Sequence, residues 1–215
     1  MVDVLNDPGG REKLLALGVR NVPVVAKGEN YVFGQNLEDV AEFIGLQGTG
    51  HKPLPPDQLI KKWVLVLRAL QRYVRQMPTE RINENVIENR QRSIRLLAHH
   101  AFRIAEAYLE TVIDGKEYAV QHANVPPKDG THLTGKEIAD YGEGVIERLQ
   151  KWWDQVPDKS LSIKIKTYYG MRRVPGGAQH ARQLIHVLER FGIEPDGRLT
   201  PQDLAGLPLP ERLFE

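Results

Sequence analysis

No cysteine occurs among the 215 residues. That excludes disulfides, thiolate-held metals and any cysteine nucleophile within this polypeptide. Long apolar runs are missing too: none approaches the roughly 20 residues that span a bilayer, and the N-terminus lacks the charged-then-apolar pattern of a secretory signal. A surplus of one charge is equally absent. The 29 Lys and Arg against 28 Asp and Glu leave a formal net charge of +1. An extended nucleic-acid footprint needs more basic groups than that to displace phosphate counterions. The local group Arg90, Arg92 and Arg95 reads as a solvated helix face. No nucleophile elbow, phosphate-binding glycine loop or HExxH helix occurs. These absences leave a cytoplasmic protein with neither membrane nor nucleic-acid partner as the expectation.

What is present is an ordinary globular composition, 41% hydrophobic and 27% charged, in a chain long enough for one large domain or two small ones. Gln47 to Pro56 is rich in Gly and Pro and reads as a linker between residues 1–46 and residues 57–215. The first segment reads β-α-β-β-α. Val2–Leu5 is a strand, Gly9–Leu17 a helix stopped by Gly18, and Val19–Ala26 a strand around Pro23. Lys27 to Asn30 is a hairpin turn into Tyr31–Phe33, and Leu37–Ile44 is a helix ended by Gly45.

Beyond the linker, apolar residues recur on a helical period four times. Asp57–Gln76 carries Ile60, Trp63, Leu67, Leu70 and Val74; Asn89–Val112 carries Leu97, Ala101, Ile104 and Tyr108. Thr134-Gly-Lys-Glu137 is a capping box that opens a helix to about Gln155. Gly142 and Gly144 inside it point to close helix approach. Residues 161–168 read as extended. A fourth helix spans Val174 to Gly192, opened by Pro175 and two glycines, with Leu184, Ile185, Val187, Leu188 and Phe191 on its apolar stripe and Gly192 at its cap. The tail from Ile193 reads as packed irregular structure. Four such helices with one long crossover imply a four-helix bundle.

The chemistry-bearing residues gather on the second and fourth helices. Gln179, His180 and Gln183 share a face of the fourth, because residues three and four apart are helix neighbours. His99 and His100 lie about 100° apart, so one is expected to face the core, with His100 preferred. His122 and His132 read as solvated loop residues, and Trp152-Trp153 as core.

Leu17-Gly-Val-Arg-Asn-Val-Pro-Val-Val25 with Gly28, Tyr31-Val-Phe-Gly34 and Ala41-Glu-Phe-Ile-Gly-Leu46 resembles the C-terminal part of a glutaredoxin or thioredoxin-like domain. The resemblance implies a cis Val22–Pro23 bond and a thiol-binding rim at Val22, Pro23, Gly34 and Gln35. The strand and helix that carry the family's cysteine motif are missing, so a start upstream of Met1 is expected, and no thiol-disulfide oxidoreductase activity from this chain itself. Ser93-Ile-Arg-Leu-Leu-Ala-His-His100, Tyr169-Gly170 and Gln179-His-Ala-Arg-Gln-Leu184 resemble the DinB-like (YfiT-like) bundle superfamily over residues 57–192. Many members hold a divalent metal on three histidines, and several use low-molecular-weight thiols. Here His99 or His100 matches the first ligand and His180 the third, while Gly176 stands at the second. A metal is therefore not favoured, with His100 and His180 as weak candidates.

The combined expectation is α+β: an incomplete glutaredoxin/thioredoxin-like β-α-β-β-α segment followed by a DinB-like up-down four-helix bundle. Thiol binding or thiol-dependent transfer is the functional reading, with His100, Gln179, His180 and Gln183 as the bundle's candidate site and a thiol such as glutathione as cofactor. The alternative is a non-catalytic small-molecule-binding or dimerisation module that has lost both reaction centres. A homodimer is left open.

Overall fold

A computed structural model describes residues 7–19, 23–34, 37–46, 54–88, 91–116, 120–157, 159, 174–207, 209 and 213–214. Among these residues the chain is α+β, mostly helical, with a two-stranded antiparallel sheet. It divides into two compact units, Met1–Pro53 and Leu54–Glu215.

In the first unit, helix α1 (Pro8–Ala16) starts where the Asp7 side chain accepts from the Gly9 amide at 2.9 Å. Strands β1 (Val24–Lys27) and β2 (Asn30–Phe33) pair from Val24 against Phe33 to Lys27 against Asn30. The two-residue turn between them has Gly28 at φ 64°, the conformation a II′ hairpin needs at its first central position. Helix α2 (Leu37–Ile44) follows. Of the strand expected from Val19 to Ala26, residues 20–22 lie outside the described residues, and β1 begins just after Pro23, which has no amide hydrogen to give to a ladder. The expected strand at Val2–Leu5 and the Val22–Pro23 bond lie outside the described residues, as does Gln35. Gly34 donates its amide to the Pro23 carbonyl at 2.8 Å, closing the sheet's open end.

The second unit is built on four long helices: α3 (Pro56–Arg75), α4 (Ile94–Asp114), α6 (Gly135–Gln155) and α7 (Val174–Arg190), with the short α5 (Val120–Ala123) and α8 (Pro201–Leu204) between and after them. Their apolar stripes close a common core that includes Trp63, Leu70, Phe102, Ile146, Leu184 and Leu188. Helix α4 starts later than its periodicity suggests. Ser93 caps it by accepting from the Leu96 amide, and the residues before it are used in extended contacts, Val86 to Arg92 and Ile94 to Glu84. The arginines expected on a solvated helix face therefore precede or open the helix. Arg95 donates to the carbonyls of Thr131 and His132 at 2.6 and 2.9 Å.

Helix directions depart from a simple up-down order. Val74, Gln71 and Arg68 of α3 meet Gly135, Ala139 and Glu143 of α6, so these two are antiparallel. Phe102, Glu106 and Tyr108 of α4 meet Gly142, Arg148 and Trp152 of α6, so α4 and α6 run parallel. Helix α7 runs with α3: Gly177 lies against Val66 and Leu70, and the residues after α7 reach Arg72 and Gln76. The bundle is up-down-down-up. The connection over residues 115–134 is what returns the chain to the end at which α4 began.

Two expectations on local structure are corrected. In the box at Thr134, the hydroxyl accepts from the Glu137 amide at 3.1 Å, but the Glu137 carboxylate takes the Leu133 amide instead of the cap's own. The tail after Ile193 is not merely irregular. Thr200 and Asp203 form a reciprocal capping box on α8, and the Tyr73 hydroxyl accepts from the Leu199 amide at 2.9 Å. Residues 161–168 lie outside the described residues.

Gly142 and Gly144 separate cleanly. A Cβ at Gly142 would stand 2.5 Å from the Phe102 ring, whereas one at Gly144 would meet nothing within 4 Å. Close approach explains the first and not the second. Gly142→Ala is expected to destabilise the chain by about 1–3 kcal/mol through overpacking, while Gly144→Ala stabilises it by about 0.5–1 kcal/mol through helix propensity. Urea denaturation of the two variants side by side checks both signs.

Candidate functional site

Two histidine clusters flank α4, one toward each of its neighbours. Residues 99 and 100 point about 100° apart. Because α4 packs against both α6 and α7, each adjacent position finds a partner, and the expectation that only one would turn inward does not hold.

His100 faces α7. Its ring centroid lies 5.1 Å from that of His180, edge to face. Its Nδ1 is 2.7 Å from the Ala123 carbonyl, and a carbonyl only accepts, so Nδ1 carries the hydrogen. On α7, His180 Nδ1 lies 2.8 Å from Gln183 Oε1, one turn on. In their neutral forms both rings therefore have Nε2 as the unprotonated nitrogen. Part of the His180 surface stays accessible, yet the ring sits deep enough that burial pushes its pKa down from 6.5 to about 3. The neighbouring His100 adds to that depression, and the Gln183 bond works against it.

Gln179 and Gln183 serve a further purpose. Both amide nitrogens donate to the carbonyl of Leu213, at 2.6 and 3.0 Å, and Phe214 packs on His186 with centroids 5.4 Å apart. Leu213 and Phe214 thus lie along the polar face of α7. Gly177, near the start of α7, faces α3 at ordinary contact distance. Of the residues expected to converge, His100, His180 and Gln183 do so directly. Gln179 reaches them through Leu213. Pro23 and Gly34 belong to the other unit.

The second cluster was not anticipated. His99, only 6% exposed, places Nδ1 3.0 Å from Nδ1 of His132 and Nε2 3.1 Å from the Val125 carbonyl. The carbonyl requires a hydrogen on Nε2, so a neutral His99 accepts at Nδ1 and His132 donates. Tyr141 stacks on both rings, at 5.2 and 4.8 Å, and donates its hydroxyl to Glu106 at 2.7 Å. Arg103 bonds Glu106 at 3.1 Å and holds Glu110 in a two-point bond, 3.0 Å each. Burial pushes His99 down to about 4, with His132 adding. Burial, then Glu106, raises the Tyr141 phenol well above its ordinary range. His132, read from the sequence as a solvated loop residue, is instead one half of this pair. Nothing in its local sequence shows this. It follows from Arg95, which holds the carbonyls beside it, and from a left-handed backbone at φ 55°.

The aromatic residues at the far end of the helices form core. Tyr108 meets Trp63 and Trp152 edge to face at 5.3 and 5.4 Å, and its buried hydroxyl has no hydrogen-bond partner among the described residues. Tyr168 and Tyr169 lie outside the described residues.

A divalent metal does not fit this donor set. Zinc sites that keep an open position use three protein ligands. His100 and His180 supply two, and among the described residues no three His, Cys, Asp or Glu side chains are grouped to hold an ion.

Compared with family models, curated proteins and solved structures, the chain matches none. Among the described residues no helix is long and apolar enough to cross a membrane.

His99 and His180 both have folded-state pKa values below 6.5, so between those values and 6.5 the unfolded chain binds more protons. Their neutral contribution to stability is complete above about pH 6.5 and is lost as pH falls toward 4 for His99 and 3 for His180. The urea midpoint is expected to drop across that window, and His99→Gln to flatten its upper part. A pH-independent midpoint between 6.5 and 4 would show that neither ring is held neutral.

Proposed function

We propose that the bundle unit binds a low-molecular-weight thiol, glutathione or one of its size, at the paired rings of His100 and His180. The observation that carries the reading is the tautomer of His180, whose ring lies edge to face with His100. Its Nδ1 hydrogen is committed to the Gln183 amide oxygen, which makes Nε2 the acceptor nitrogen of that ring. A thiol is a weak donor and needs such an acceptor. The sequence resemblance of both halves to thiol-handling families, glutaredoxin-like over residues 1–46 and DinB-like over residues 57–192, supports the same ligand class.

Binding is favoured over transfer chemistry. A transferase needs the thiolate, hence a base able to take the thiol proton near neutral pH. His180, with its pKa near 3, is a poor base for a thiol whose ordinary pKa is about 8.5. The ring is suited to receive a hydrogen bond from S–H while the sulfur stays protonated. This lies closer to the non-catalytic binding module than to the transferase.

Calorimetric titration with glutathione and with S-methylglutathione tests the reading, since only the first can donate from sulfur. Glutathione is expected to bind and the S-methyl form to bind about fivefold to tenfold more weakly, the worth of one hydrogen bond. His180→Ala should remove that difference while unfolding stays cooperative. Equal affinity for the two ligands, or no heat with either, overturns the reading.

A further inference from the structure

We propose that the main-chain carbonyl of Leu213, acting through Gln183, locks the tautomer of His180, so that the C-terminal segment is a positioning element for the ring pair. The consequence for ligand binding rests on the thiol reading above; the lock itself does not.

The argument follows donors and acceptors along one line of contacts. At one end, Arg182 Nη1 bonds Gln179 Oε1 at 2.9 Å. A guanidinium only donates, so the Gln179 amide must turn its NH2 the other way, toward Leu213 O at 2.6 Å. Gln183 meets the same carbonyl with its own NH2 at 3.0 Å. A carbonyl only accepts, so Gln183 cannot present its oxygen there. That oxygen is left facing His180 Nδ1 at 2.8 Å, and an amide oxygen also only accepts. His180 must then donate from Nδ1 and keep its lone pair on Nε2. Every contact has a single allowed polarity, set by two groups that cannot change theirs: the guanidinium of Arg182 and the carbonyl of Leu213. Phe214, packed on His186 one turn beyond Gln183, seats that carbonyl.

Take the carbonyl away and the constraint ends. The Gln183 amide is then free to rotate and offer NH2 to the ring, which would require an unprotonated Nδ1 and move the hydrogen to Nε2. The nitrogen that accepts from a ligand in the locked form would become a donor. Gln183 and Leu213 are positioning groups in this scheme, since neither needs to touch the ligand.

Long-range proton–nitrogen correlation spectra of the imidazoles in the full-length chain at pH 8 read the tautomer directly. In the unaltered chain, His180 Nδ1 is expected as the protonated nitrogen and Nε2 as the bare one. Gln183→Leu removes the acceptor at Nδ1 and should shift the ring toward the Nε2–H form. The double variant Gln179→Leu, Phe214→Ala removes the Gln179 bond to Leu213 and the Phe214 contact beside it, and should shift the ring the same way. Gln183→Glu in that background should restore Nδ1–H, because a carboxylate can only accept. A ring that stays Nδ1–H in both weakened variants, or is Nε2–H in the unaltered chain, overturns the lock. The spectra are taken without any thiol. A chain that shows the lock but gives no heat with glutathione would therefore retire the thiol reading alone.

Discussion

The contact on which the bundle's polar interior depends is the one between the Phe102 ring and Gly142. A Cβ at position 142 would stand 2.5 Å from the ring, so α4 and α6 lie as close as their backbones and one aromatic edge allow. At that separation the neighbouring Tyr141 reaches back to stack on His99 and to place its hydroxyl on Glu106 of α4. A wider spacing would leave His99, Glu106 and Arg103 facing water or one another without a bridge. The parallel run of α4 and α6 matters equally, because it keeps Glu106 opposite both Tyr141 and Arg148.

On both flanks of α4 the imidazole rings are neutral. Burial makes a charged imidazole costly at both His99 and His180, and among the described residues neither has a carboxylate in direct contact to offset that cost. Each ring is instead satisfied by oxygens or by a second ring, at fixed polarity. Neutral, oriented imidazoles are suited to recognising a donor and poorly suited to taking its proton. The thiol-binding reading rests on that distinction.

Much of the fold was legible along the chain. The apolar period of α3, α4, α6 and α7 follows from burial on one face of a helix. The hairpin at Gly28 and the cap at Thr134 follow from local backbone chemistry. So did the meeting of His100, His180 and Gln183, since i and i+3 spacing places His180 beside Gln183 whatever else the helix does. Helix directions were not legible. Periodicity is the same for a helix running up or down, and only residues 115–134, by crossing the bundle, make α4 and α6 parallel.

The sequence by itself determined which faces are apolar, where the four long helices broadly lie, and that no cysteine chemistry can occur in this polypeptide. Those properties belong to single residues or to neighbours within one turn. The tertiary structure alone decided that His132 pairs with His99 across 33 positions, and that Leu213 sets Gln183 across 30. Hydrogen-bond polarity between distant groups depends on which donor and acceptor the packing brings within about 3 Å, and no local pattern of residues carries that information.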